Sequence, residues 1–253
     1  MISDELFQIL VQQMKSVRTV FPDLCLEQTK DGRFVVRGSV SFQAERNGKV
    51  VEAEYGIEIT IPDDYPQNPP VVRETEGKIP KDFHTNVDGT LCLGVPLDVR
   101  TRFSEHPTLT DYVTGQVVPV LFSHAYFSLY GDMPFGEWRH GGAGLLDSYK
   151  GLLGVDQDLV VLAFLRMLAD NDYKGHVPCP CGSGLILRKC HGQQLLEVKD
   201  HQHASDFLGE WAAVFQYVMK QVPNADFRGV VPKRIIKGLK VRSRRRTAPF
   251  QAT

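Results

Sequence analysis

The stretch Arg33–Pro62, RFVVRGSVSFQAERNGKVVEAEYGIEITIP, decides the fold. On both sides of Asn47-Gly48, apolar and polar residues alternate, with β-branched side chains enriched. A period of two is what a strand with one buried face requires. Asn-Gly supplies the two positive φ angles that a two-residue hairpin turn demands. The stretch therefore predicts two long antiparallel strands joined tightly at residues 47–48.

Working outward, a shorter strand is expected over Leu24–Gln28, closed by Asp31-Gly32. Before it, Leu6, Ile9, Leu10, Met14 and Val17 recur at helical spacing, so Ser3–Val20 predicts a helix. Ser3 suits its N-cap, Asp4 and Glu5 suit the positive end of its dipole, and Pro22 marks its end. Downstream, IPDDYPQNPP (Ile61–Pro70) is too rich in proline to continue a central strand. VVRET (Val71–Thr75) predicts another short strand. Helical patterns follow at Pro107–Gly131, interrupted by Pro119, and at Val155–Asp172 and Ala204–Val222. A glycine-containing loop leads into a further helix over Phe135–Leu153. A block of antiparallel strands followed by helices is an α+β arrangement.

The chain has 253 residues, 42% hydrophobic and 23% charged, the make-up of an ordinary globular protein. No apolar run approaches the roughly 20 residues needed to span a membrane. MISDELFQIL lacks the basic start and apolar middle of a signal peptide, so a cytoplasmic location without membrane contact is expected. The net charge of −1 hides an asymmetry: Gly229–Thr253 holds eight Lys or Arg and no Asp or Glu. A basic tail thus follows an acidic body. Without interleaved aromatics it offers only weak, salt-dependent nucleic-acid contact, or attraction to an acidic protein face.

Five cysteines are an odd number for a disulfide framework. Cys25, between Leu24 and Leu26, reads as a buried structural thiol. Cys92 lies in HTNVDGTLCLG (His84–Gly94), a turn-rich loop that also holds His84 and Asn86. It reads as a nucleophile or, alternatively, as a small buried hydrophobe. A thiolate both attacks and leaves readily, as a carrier of acyl groups requires. An amide such as Asn86 can donate to a developing oxyanion, or hold the loop that does. His84 reads as a residue that fixes the loop. His140, among glycines in EWRHGGAG, reads either as a base lining this site or as a surface or capping histidine.

CPCGSGLILRKCHG gives Cys179, Cys181, Cys190 and His191, spaced C-x-C-x8-C-H. Three thiolates and an imidazole, with glycines turning the chain between them, suit a closed, structural, tetrahedral Zn2+ site. The alternative is a redox pair at Cys179 and Cys181.

Two resemblances follow from these motifs. Tyr65, Pro66, Pro69 and Pro70, then His84, Asn86 and Gly89, then Cys92-Leu93, resemble the ubiquitin-conjugating enzyme fold over roughly residues 1–130. That family has a YPxxPP turn, His-Pro-Asn, and a catalytic Cys-Leu pair. Thr85 stands in place of its proline, and Phe103 in place of its downstream tryptophan. HGGAGLLDSYKGLL is more like the divergent bacterial members, often encoded in antiviral defence operons. The resemblance implies a thioester on Cys92, an activating enzyme, a ubiquitin-like modifier and a protein target as partners, with Asp98 a candidate for helping deprotonate the incoming amine. The second resemblance is of Cys179–Gly192 to the SEC-C motif, a zinc-binding module that often recognises proteins. Together they imply a conjugating domain with helical extension (residues 1–172), a zinc motif (173–195), a helix (196–228) and the basic tail (229–253). The rival expectations are a non-catalytic binding adaptor and a thiol hydrolase using His140.

Overall fold

The Asn47-Gly48 turn adopts the backbone its sequence calls for. In the computed structural model, which describes residues 4–136, 139 and 141–236, these two residues have φ of 52° and 73°. Arg46 faces Lys49 across them. Strands β2 (Phe34–Arg46) and β3 (Lys49–Thr60) pair antiparallel, with Val36 opposite Ile59, Val40 opposite Tyr55 and Ala44 opposite Val51. Those are apolar positions of the alternation, so the register turns one sheet face into the core. β1 (Cys25–Gln28) and β4 (Val71–Glu74) form the edges of a four-stranded antiparallel sheet in the order β1-β2-β3-β4. A Cβ at Gly38 would sit 2.0 Å from the Asp23 carbonyl oxygen, so only glycine lets β2 pass under the chain entering β1.

Helix α1 (Asp4–Val20) buries Leu6, Leu10, Met14 and Val17, one stripe of a 3.6-residue period. After α2 (Pro96–Glu105), a long helical run begins with α3 (Leu109–Tyr112), winds once as a π-helix over Val113–Val117, and resumes as α4 (Val118–Tyr130). The wide turn accommodates Pro119. In a regular helix its ring would press on the Gly115 carbonyl, and its missing N–H would leave that carbonyl unbonded. Here the Val118 N–H reaches back to the Val113 oxygen instead. The expected interruption is therefore a change of winding.

The proline-rich turn is fastened from two sides. Tyr65 donates its hydroxyl to Gln13 Oε1 at 2.5 Å, and the same oxygen accepts the Leu109 N–H at 2.8 Å. Tyr112 donates to the Pro70 carbonyl at 2.7 Å. The Tyr65–Pro66 peptide is cis.

The chain divides into two compact units, residues 1–137 and 138–253. In the second, α5 (Gly141–Leu153) and α6 (Asp158–Ala169) pack on α8 (Ala204–Gln221), with α7 (Gly192–Asp200) against α6. The helical extension expected to belong with the first domain as far as residue 172 thus packs within the second unit. The whole is α+β, with eight α-helices and four strands among the described residues. No helix among them is long and apolar enough to cross a membrane. Of the basic tail, residues 237–253 lie outside the described residues.

Candidate functional site

Residues 84–92 fold as a pinched loop at the sheet's edge. The Leu91 N–H donates to the Val72 carbonyl of β4 at 2.7 Å, which fixes the loop to the sheet. Thr85 pairs with Leu91, and the Cys92 N–H donates to the His84 carbonyl at 2.7 Å. Asn86 N–H to Thr90 O, at 2.7 Å, and Gly89 N–H to Asn86 O, at 2.9 Å, close the tip. Gly89 has φ 84°, where a side chain would cost free energy. Val87, at the tip, is fully exposed.

Asn86 works inside this loop. Its amide Nδ2 donates to Thr90 Oγ1 at 3.0 Å and, longer, to the Leu91 carbonyl at 3.4 Å. Asp88 Oδ1 accepts from the Thr90 hydroxyl at 2.7 Å and its N–H at 3.0 Å, and these bonds hold the Asp88 carboxyl below its usual range. Cys92 is half-buried between the buried Leu91 and Leu93, its Sγ 3.8 Å from the Gly94 carbonyl. His84 has φ 40°, uncommon for a non-glycine residue, and its ring packs edge-on against Phe83 at 4.9 Å.

The remaining expectations divide. Cys25 is exposed, which corrects its reading as a buried thiol. Strand alternation explains it: Leu24 is fully buried, so its neighbour on β1 turns outward. Asp98 lies half-buried on α2, a helix the sequence reading had not anticipated. Pro96 at its first turn, followed by Asp98, is the helix-start signal that was there to read. His140 lies outside the described residues.

The second cluster is built in the second unit. Val177 and Cys179 pair with Leu187 and Leu185: the Cys179 N–H donates to Leu185 O and the Leu187 N–H to Val177 O, both at 2.8 Å. Gly182 and Gly184, with φ of 77° and 78°, turn the chain between these arms. A short 3-10 turn, Leu187–Lys189, then brings Cys190 and His191 back to the start of α7. One donor atom from each of Cys179, Cys181, Cys190 and His191 lies within 4.8 Å of all the others. Sγ of Cys181 and Cys190 are 3.5 Å apart, and His191 Nδ1 is 3.2 Å from Sγ of both Cys179 and Cys190. Four ligands about 2.1–2.3 Å from one tetrahedral centre stand at comparable separations. The His191 ring lies 5.1 Å from the buried Phe164 ring of α6, which fixes its orientation. These four residues form a group that can bind a metal ion. Burial pushes the Cys179 thiol up to about 11. At Cys181 burial acts the same way but is outweighed by hydrogen bonds from Ser183 and the neighbouring thiols, which bring it down to about 6.

Neither known protein-family models nor curated proteins match the sequence.

Two residues with long-range hydrogen bonds in the first unit were not anticipated. Gln13 sits among polar residues of α1 and gave no signal. His124 did: it interrupts the apolar run VPVLFSHAYF, and a lone polar group there must find a buried partner.

Proposed function

We propose that the first unit is a ubiquitin-conjugating-enzyme-like carrier whose Cys92 accepts the C-terminus of a ubiquitin-like modifier. The Cys92 thiolate attacks the thioester carbonyl held by an activating enzyme. A new C–S bond forms, the old one breaks, and the activating enzyme's thiolate leaves. An amine of the target then attacks the Cys92 thioester and loses a proton, and the Cys92 thiolate departs. The observation that carries this reading is one of order and placement. A helix, a four-stranded meander and a doubly fastened YPxxPP turn precede a pinched loop ending in a half-exposed cysteine. Asn86 acts by holding that loop, and His84 by receiving the Cys92 N–H on its carbonyl. On this reading, and in line with the resemblance to the divergent bacterial members, the chemistry would serve a conjugation pathway of the antiviral type in the cytoplasm.

Zn2+ is the metal best suited to three thiolates and one imidazole, and with all four positions filled by protein its role is structural. Cys179, Cys181, Cys190 and His191 would hold it; bound there, it would stabilise the fold of a protein-recognition appendage of SEC-C type.

A second reading is favoured by one observation: the Asn86 amide is already engaged with Thr90 and Leu91. A non-catalytic adaptor that binds a modifier without forming a thioester would use the loop in this state. One experiment separates the readings. The protein is incubated with the cognate activating enzyme, the modifier and ATP, and run on a non-reducing gel. A thiol-sensitive adduct absent from Cys92→Ala supports the carrier. Stable modifier binding with no adduct supports the adaptor.

A further inference from the structure

Behind the Cys92 loop lies a buried polar pair that the chemistry above does not use. Tyr55 Oη on β3 stands 2.7 Å from His124 Nδ1 on α4, and both side chains are more than nine-tenths buried. The imidazole meets the Phe83 ring edge-on, with centroids 4.9 Å apart, and the other partner of Phe83 at that same distance is His84. Phe127 of α4 completes the contact at 5.9 Å. His84 in turn supplies the carbonyl that receives the Cys92 N–H. A packed path thus runs from Tyr55 through His124 and Phe83 to the backbone that holds the thiol. The non-glycine φ of 40° at His84 means that this backbone needs such support.

We propose that His124, oriented by the Tyr55 hydroxyl, is a positioning residue for the Cys92 loop, acting through Phe83 and His84. Its value for Cys92 chemistry rests on the carrier reading; its effect on the loop does not. The neutral ring is the working form. Burial raises Tyr55 to about 12, so Tyr55 keeps its proton, and its hydroxyl shares one hydrogen bond with Nδ1 whose donor is set by the imidazole tautomer. Burial also lowers His124, with the Glu74 carboxylate opposing. Among the described residues, Lys78, whose ammonium lies 5.7 Å from the Tyr55 ring, and its partner Glu76 also lie near this pair, and the His84 imidazole stands on the other contact of Phe83.

Peptide-resolved hydrogen exchange over residues 84–92 tests this without any conjugation partner. In Tyr55→Phe and His124→Phe, protection of that loop is expected to fall about tenfold, while α1 stays as in the wild type. A uniform loss across residues 4–136, or no loss, overturns the proposal. The pH profile of the wild type is the second measurement. The folded pKa of His124 is lowered, so the open loop takes up a proton first. Loop protection, corrected for intrinsic exchange, is then flat above pH about 6.5 and falls as pH drops below it. His124→Phe should remove most of that slope. An unchanged slope overturns the proposal. A local loss in both variants, together with no thioester on wild-type Cys92, supports the positioning role and rejects the carrier reading instead.

Discussion

The amide of Cys92 and the carbonyl of His84 meet at 2.7 Å, so the thiol sits where the two arms of a loop are tied together. One arm is fastened to β4 through Leu91, the other is braced by Phe83. The position of Cys92 therefore depends on bonds that can be removed singly.

Asn86→Ala removes the side-chain bonds to Thr90 and Leu91 but leaves the backbone pairs of the loop. The expected cost is about 1 kcal/mol of stability, read as a lower denaturation midpoint. On the carrier reading, discharge of a Cys92 thioester to free lysine slows while loading is retained. Loss of loading with normal discharge would contradict the loop-holding role of Asn86.

Tyr112→Phe deletes a buried hydroxyl whose acceptor, the carbonyl of the buried Pro70, is then stranded. That asymmetry makes the loss larger than for a surface bond, about 1–3 kcal/mol. Urea unfolding should show a lower midpoint at an unchanged slope. A stability within experimental error of the wild type would mean that the proline-rich turn is not held from α3.

What the sequence made legible follows from how local the signals are. Asn47-Gly48 between alternating runs could form only a hairpin, and the heptad-like stripe from Leu6 to Val17 could form only an amphipathic helix. The four residues of the group that can bind a metal ion were legible because their types and spacing carry the chemistry directly. Other features depend on what lies across the core. Leu24-Cys25-Leu26 gives no sign of which face turns inward, and the alternation exposed Cys25. Pro119 looked like a break, yet an extra residue in the preceding turn absorbed it. α7 was missed because its two buried leucine and valine anchors, Leu195 and Val198, follow directly on a ligand turn. No local pattern announces that Tyr55 and His124, 69 residues apart, form a pair.

The thiols should sort into two classes under iodoacetamide. With Zn2+ supplied, Cys25 and Cys92 are expected to alkylate, one exposed and one half-buried, while Cys179, Cys181 and Cys190 are protected as ligands. Chelation should expose those three together, release about one Zn2+ per chain by elemental analysis, and lower the unfolding temperature. Sequential rather than joint exposure, or protection that survives chelation, would argue against a shared metal.

The sharpest test of the second unit lies within one helix. A Cβ at Gly142 would stand 2.1 Å from the Ala213 carbonyl oxygen of α8 and 2.9 Å from Tyr217 Cβ, whereas nothing lies within 4 Å of a Cβ at Gly151. Both glycines belong to α5, and replacing either by alanine raises helix propensity by about 0.5–1 kcal/mol. At Gly151 that gain stands alone, so Gly151→Ala should stabilise. At Gly142 the methyl group meets backbone, which cannot rotate aside, so α5 and α8 must separate. Overpacking of this kind costs about 1–3 kcal/mol or more, which exceeds the propensity gain, so Gly142→Ala should destabilise. Opposite signs in thermal unfolding confirm that α5 lies on α8 through Gly142; a stabilising effect of both substitutions would show that the two helices do not approach there.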